Sequence, residues 1–268
     1  MSQIITSENL DEVVKKNLEI EKQIQAKIDT VYANYNYSKV MSSDKLAFNI
    51  LKKNSLIQIP INDKYFGGLI VVKGDLKIPV INTSQPRVYQ YFIAWHEIYH
   101  MLFDKDLKDS PHKVNFDMEL NERHADYFAA KMLLGNVYDF FFSLDDENFI
   151  DKVIRCMDVY KAPYKAILIQ LYQDSIKFNS KDLSKLILRD FDNPPNDLVQ
   201  KFESLGLDTE LVKPSYIYDT GTLENRMKKA IKENPDIDIH KSNLEYFKNI
   251  SNSILKNKEN LIYEDRWC

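Results

Sequence analysis

The run His96-Glu97-Ile98-Tyr99-His100 sets two imidazoles and a carboxylate in the order H-E-x-x-H. On a helix, residues four apart lie on nearly the same face, so both rings can reach one metal ion. The glutamate beside the first histidine stands where it can take a proton from a water molecule that the ion acidifies. Zinc hydrolases use this chemistry: three protein ligands hold Zn2+ and a fourth position stays open. His96 and His100 supply two of the three, and Glu97 is the candidate catalytic base.

A third ligand must come from another element, and the cluster Asn121-Glu122-Arg123-His124-Ala125-Asp126 follows at a suitable distance. Glu122 is the favoured choice. On a helix, Ala125 and Ala129 would share its face, and side chains that small let two helices approach closely. Asp126, four residues on, would lie above it and accept a hydrogen bond from the far ring nitrogen of a ligand histidine, fixing its tautomer. His124 competes, because imidazole also suits zinc, but two residues from Glu122 it points about 200° round the helix. His112 is a weaker rival, and His240, far along the chain, reads as a surface residue. The bland alternative is an amphipathic helix with two satisfied core histidines and a surface glutamate. The phased E-x-x-x-D pattern that follows argues against it.

These residues need elements to position them. Apolar residues at helical spacing predict a long amphipathic helix over 8–33, with Ser7 as its N-cap, and a second over 44–53. β-rich segments follow at 57–61, 68–72 and 77–81, with a tight turn at Lys73-Gly74-Asp75, so a small antiparallel sheet precedes the H-E-x-x-H motif. Pro79 points to an edge position for its strand. Helix returns over 88–103, a charged loop spans 104–115, and a helix over 116–134 stops near Gly135. Beyond it the pattern is helical, broken at Pro163, at 193–196, at 213–215 and at 219–221. The fold class is therefore α+β and mostly helical. A metal-binding domain with its N-terminal helix occupies 1–175, and a helical accessory region occupies 176–268.

The stretch from Val80-Ile81-Asn82 through Tyr91-Phe92-Ile93-Ala94-Trp95 into the H-E-x-x-H run resembles the ImmA/IrrE family of bacterial and phage metallo-endopeptidases. A second signature of that family, E-x-x-A-(N/D)-x-F-A-x-x-L-L, is similar to Glu122, Ala125, Asp126, Phe128, Ala129, Met132 and Leu133. A looser likeness, to a helix-turn-helix-like segment, lies at 159–171. The resemblance covers roughly residues 55–175. The chain departs from the pattern at Tyr99, where Gly is usual, and at Leu134-Gly135, where Met-Pro is common; neither touches a proposed ligand. The resemblance implies zinc at His96, His100 and Glu122, and Glu97 as base. It also implies, as protein substrate, a helix-turn-helix repressor whose cleavage derepresses a mobile element or a stress response.

The bulk properties bound the alternatives. The 268 residues carry a formal net charge of -4, with 44% hydrophobic and 28% charged residues, an ordinary globular composition. Net acidity argues against direct nucleic-acid binding, leaving a DNA-binding regulator as the third reading. No apolar run nears the roughly 18–20 residues that cross a bilayer. Cys156 and Cys268 suit free thiols in a reducing compartment, and the expected location is cytoplasmic. The expected reaction is peptide-bond hydrolysis, with Tyr99, Tyr127 or His124 available to the oxyanion and the strand before the site available to an extended substrate. The competing class is a metal-containing regulator that sequesters a repressor without cutting it.

Overall fold

A computed structural model describes residues 4–35, 41–63, 65–104, 112–115, 122–145 and 148–265, the side chains of 112–115 and 263–265 excepted. The fold is α+β and mostly helical. A 3-10 turn, Ser7–Asn9, leads into α1 (Leu10–Asn34), and α2 (Ser43–Lys53) follows. Asn9, not Ser7, stands at the head of α1; the Ser7 hydroxyl and N–H instead meet Asp192. Leu10, Val13, Val14, Ile24, Ile28 and Val31 form the buried stripe of α1. Its opposite face is charged, as an amphipathic helix over a core requires.

The sheet comprises β1 (Ile57–Ile59), β2 (Phe66–Lys73), β3 (Leu76–Asn82) and β4 (His112–Asn115), in the order β1-β3-β2-β4. It is mixed, not wholly antiparallel. β2 and β3 form a hairpin about Gly74, whose φ of 58° suits a residue without Cβ, whereas β1 runs parallel to β3. β3 is consequently an inner strand, against the edge position expected from Pro79. The proline is tolerated because β1 pairs only from Val80 onward, so among the described residues β3 has no strand partner on that flank at Pro79. The expected loop over 104–115 ends in β4, which pairs antiparallel with β2 and covers its outer edge.

α3 (Arg87–Phe103) is the central helix, buried almost all round between the sheet, α2 and α4 (Arg123–Leu133). Its near-continuous apolar surface, from Val88 to Met101, is that of a helix with neighbours on every side. At Gly68 the sheet comes so close that a Cβ would lie 2.8 Å from Ile93 Cγ2 and 3.3 Å from Glu97 Oε1. Asn82 closes the strand ahead of α3. Its side chain accepts from Ile61 and Ser84 N–H and donates to the Asp63 and Phe66 carbonyls, all at 2.7–3.2 Å. α4 is shorter than the helix expected over 116–134, of which 116–121 fall outside the described residues. It ends at Leu134 in extended conformation, without a left-handed Gly135.

Helices α5 (Val137–Ser143), α6 (Phe149–Tyr160), α7 (Tyr164–Lys177), α8 (Lys181–Asp190) and α9 (Leu198–Ser204) follow. Residues 159–171 span the end of α6, a turn at left-handed Lys161 and Pro163, and the first half of α7, which is buried along most of its length and packs against α1, α4 and α6. A 3-10 turn, Thr209–Val212, precedes a strand-like segment, and α10 (Leu223–Glu233) and α11 (Asp238–Asp265) end the chain as a hairpin. Among the described residues no helix is long and apolar enough to cross a membrane.

Candidate metal centre

One turn of α3 separates His96 from His100, and both rings point toward Glu122 at the head of α4. The Nε2 atoms of the two histidines lie 3.0 Å apart, and His100 Nε2 lies 3.5 Å from Glu122 Oε2. One ligand atom from each residue falls within 4.8 Å of the others. Ligands at about 2.0–2.1 Å from a tetrahedral zinc sit about 3.3 Å apart, so the two shorter spacings bracket that edge. His96 is fully buried, His100 nearly so, and Glu122 is half-buried.

Each histidine is oriented from behind by a carboxylate. His96 Nδ1 lies 2.9 Å from Asp126 Oδ1, and His100 Nδ1 lies 2.5 Å from Asp104 Oδ2. A carboxylate accepts, so the proton belongs on each Nδ1 and the Nε2 lone pairs face inward. Two such lone pairs at 3.0 Å repel unless a cation, a proton or a metal ion, stands between them. Burial depresses the pKa of His96. Burial acts the same way on His100, but Glu122 and Asp104 outweigh it and raise its pKa. Asp104 was missed in the sequence, although its i+4 spacing from His100 was a usable signal. It sits one residue past the end of α3, where its N–H also bonds the His100 carbonyl.

Glu97 lies on the same helix, fully buried, and neither carboxylate oxygen has a hydrogen-bond partner among the described residues. Burial pushes its pKa up to about 8. An orphaned carboxylate beside two converging imidazoles fits a site that also takes in a water molecule and an ion; alone in a core it would be costly. With the two-imidazole, one-carboxylate donor set, these residues fit zinc.

The remaining candidates divide. Glu122 stands immediately before α4, at its N-cap position, and Ala125 and Ala129 of that helix are buried. Asp126 stands where it was expected. His124 is exposed on the far side, its ring 6.4 Å from that of Tyr99. The side chain of His112 lies outside the described residues, and His240 lines a groove between α10 and α11. The Tyr99 hydroxyl accepts from Lys27 Nζ at 2.6 Å, while that of Tyr127 accepts from Gln173 and donates to Glu21, which commits the Tyr127 proton away from the site. The strand before α3 is paired with β1 over residues 80–82 and with β2 over residues 76–81, so both edges are taken at 80–81.

Comparison with protein-family models, with curated proteins and with solved structures finds no match.

Proposed function

We propose that this chain is a zinc-dependent endopeptidase of the ImmA/IrrE kind, acting on a helix-turn-helix repressor. The observation that carries the reading is the convergence of His96 Nε2, His100 Nε2 and Glu122 Oε2 beside the buried Glu97 carboxylate, which has no hydrogen-bond partner among the described residues. The motif likeness over 55–175 names the substrate class. The ion, once bound, supplies a Lewis acid that acidifies water and polarises a scissile carbonyl. The chain's own groups do the rest. Glu97, whose burial strengthens it as a base, takes the proton of the attacking water and hands it to the departing amine. Asp126 and Asp104 hold the two imidazoles in the tautomer that presents Nε2. Burial of the site keeps competing water from the reacting atoms.

Two variants test this reading on the full chain with a purified helix-turn-helix repressor. His96→Ala should lose stoichiometric zinc on elemental analysis. Glu97→Gln should keep zinc and lose cleavage by at least about a hundredfold, as expected for removal of a general base. Cleavage persisting in Glu97→Gln would exclude the base. A stable complex with an intact repressor, unaffected by chelator, would instead identify a sequestering protein.

A further inference from the structure

Behind the site runs a chain of buried polar side chains that the proposed chemistry does not use. Arg123, next to Glu122, is almost fully buried. Its Nη1 meets Asp126 Oδ2 at 3.3 Å, while Nε and Nη2 both grip Asn17 Oδ1 of α1, at 3.2 and 2.9 Å. Asn17, itself fully buried, donates to Gln173 of α7 at 3.1 Å, and Gln173 donates to the Tyr127 hydroxyl at 3.0 Å. The Asp126 carboxylate is thereby held from both sides, with His96 Nδ1 on one oxygen and Arg123 on the other.

A buried guanidinium is a poor way to hold helices together. Apolar side chains of similar volume often do so at lower cost, because ion desolvation consumes most of the attraction. What the guanidinium does supply is direction. Clamped on Asn17, it fixes the plane of the Asp126 carboxylate and hence the ring orientation and tautomer of His96. We infer that Arg123, fixed by Asn17, is a positioning residue for the metal that acts through Asp126. The inference rests on the metal-site reading above. It makes α1, which lies outside the family-like stretch 55–175, part of the metal centre.

The test is zinc affinity, measured on the full chain by competition with a chromophoric chelator, in a double-mutant cycle of Arg123→Gln and Asp126→Asn. Arg123→Gln should weaken zinc binding about 10–100-fold, the usual cost of losing an outer support. In the Asp126→Asn background the same change should cost less than about 3-fold, since coupled residues fail to add. Equal losses in both backgrounds would make Arg123 a brace for the fold and overturn the inference, as would unchanged affinity in Arg123→Gln. Should Arg123→Gln fail to fold, Asn17→Ala replaces it in the cycle under the same criterion. A wild-type chain that binds zinc no better than His96→Ala fails differently: it removes the metal site itself.

Discussion

Glu97 sets a conflict at the scale of a single residue. Its carboxylate is fully buried with no hydrogen-bond partner among the described residues, and burial raises its pKa from 4.5 to about 8. In the metal-free chain the folded form therefore holds a proton that the unfolded form releases above pH 4.5. With more protons bound to the folded state, stability must fall as pH rises through that window, and the loss is complete above about pH 8. Glu97→Gln keeps the shape and removes the titration. Melting the chelator-treated proteins between pH 4 and 9 should show the variant melting several degrees above wild type at pH 8, with the two converging near pH 4. A constant gap across the range would mean that Glu97 is solvated in solution. The motif residues were legible in the sequence because helical periodicity puts His96 and His100 on one face, and Asp126 because a carboxylate near a third ligand suits the far nitrogen of a ligand histidine. Asn17 and Gln173 were not: Asn17 reaches Arg123, and Gln173 reaches Asn17, from helices distant in sequence, and nothing in their local spacing announces it.

At the scale of elements, the site depends on how α3 meets α2 and α4, and one hydroxyl joins all three. Ser43, at the start of α2, accepts from the Trp95 indole N–H at 2.9 Å and donates to the Met132 carbonyl at 2.6 Å. That carbonyl belongs to the last turn of α4, where helical carbonyls have no partner within the helix. Ser43→Ala should strand the Trp95 donor and the Met132 acceptor together and cost about 1–3 kcal/mol, read as a lowered denaturation midpoint with unchanged slope. An unchanged midpoint would mean that water replaces the hydroxyl. The helices expected over 8–33, 44–53 and 88–103 match α1, α2 and α3 to within a few residues, since each carries an apolar stripe; beyond Gly135 only helical character and its breaks were legible. The sheet was less so. β4 is four residues long and has no alternating pattern of its own, and the parallel placement of β1 depends on pairing rather than on composition. Pro79 misled because a proline reports one missing donor, which here costs nothing where β1 has not yet begun.

At the scale of the whole molecule, the C-terminal half contains two parts with different relations to the site. Residues 208–221 run along the sheet and the head of α3. Asp219 exchanges both backbone hydrogen bonds with Gln58, on the outer flank of β1, and Ser215 and Tyr216 N–H both donate to the Thr83 carbonyl. Ser215 Oγ reaches Gln90, while Arg87 at the start of α3 holds Glu210. This segment completes the edge strand and anchors the helix that carries His96, Glu97 and His100. The hairpin beyond it is attached differently. No residue of α10 is buried, none of the described side chains of α11 is, and the two helices pack chiefly on each other. Ending the chain after residue 222 should therefore leave zinc affinity unchanged and shift Tm by no more than a few degrees. Ending it after 207 should expose the flank of β1 and the first turn of α3, lowering Tm by roughly 10 °C or more, since several buried hydrogen bonds are lost together. Thermal melts and zinc titration of the two truncations decide the matter. A large loss on removing only the hairpin would show that α10 and α11 hold the core through contacts beyond those they make with each other.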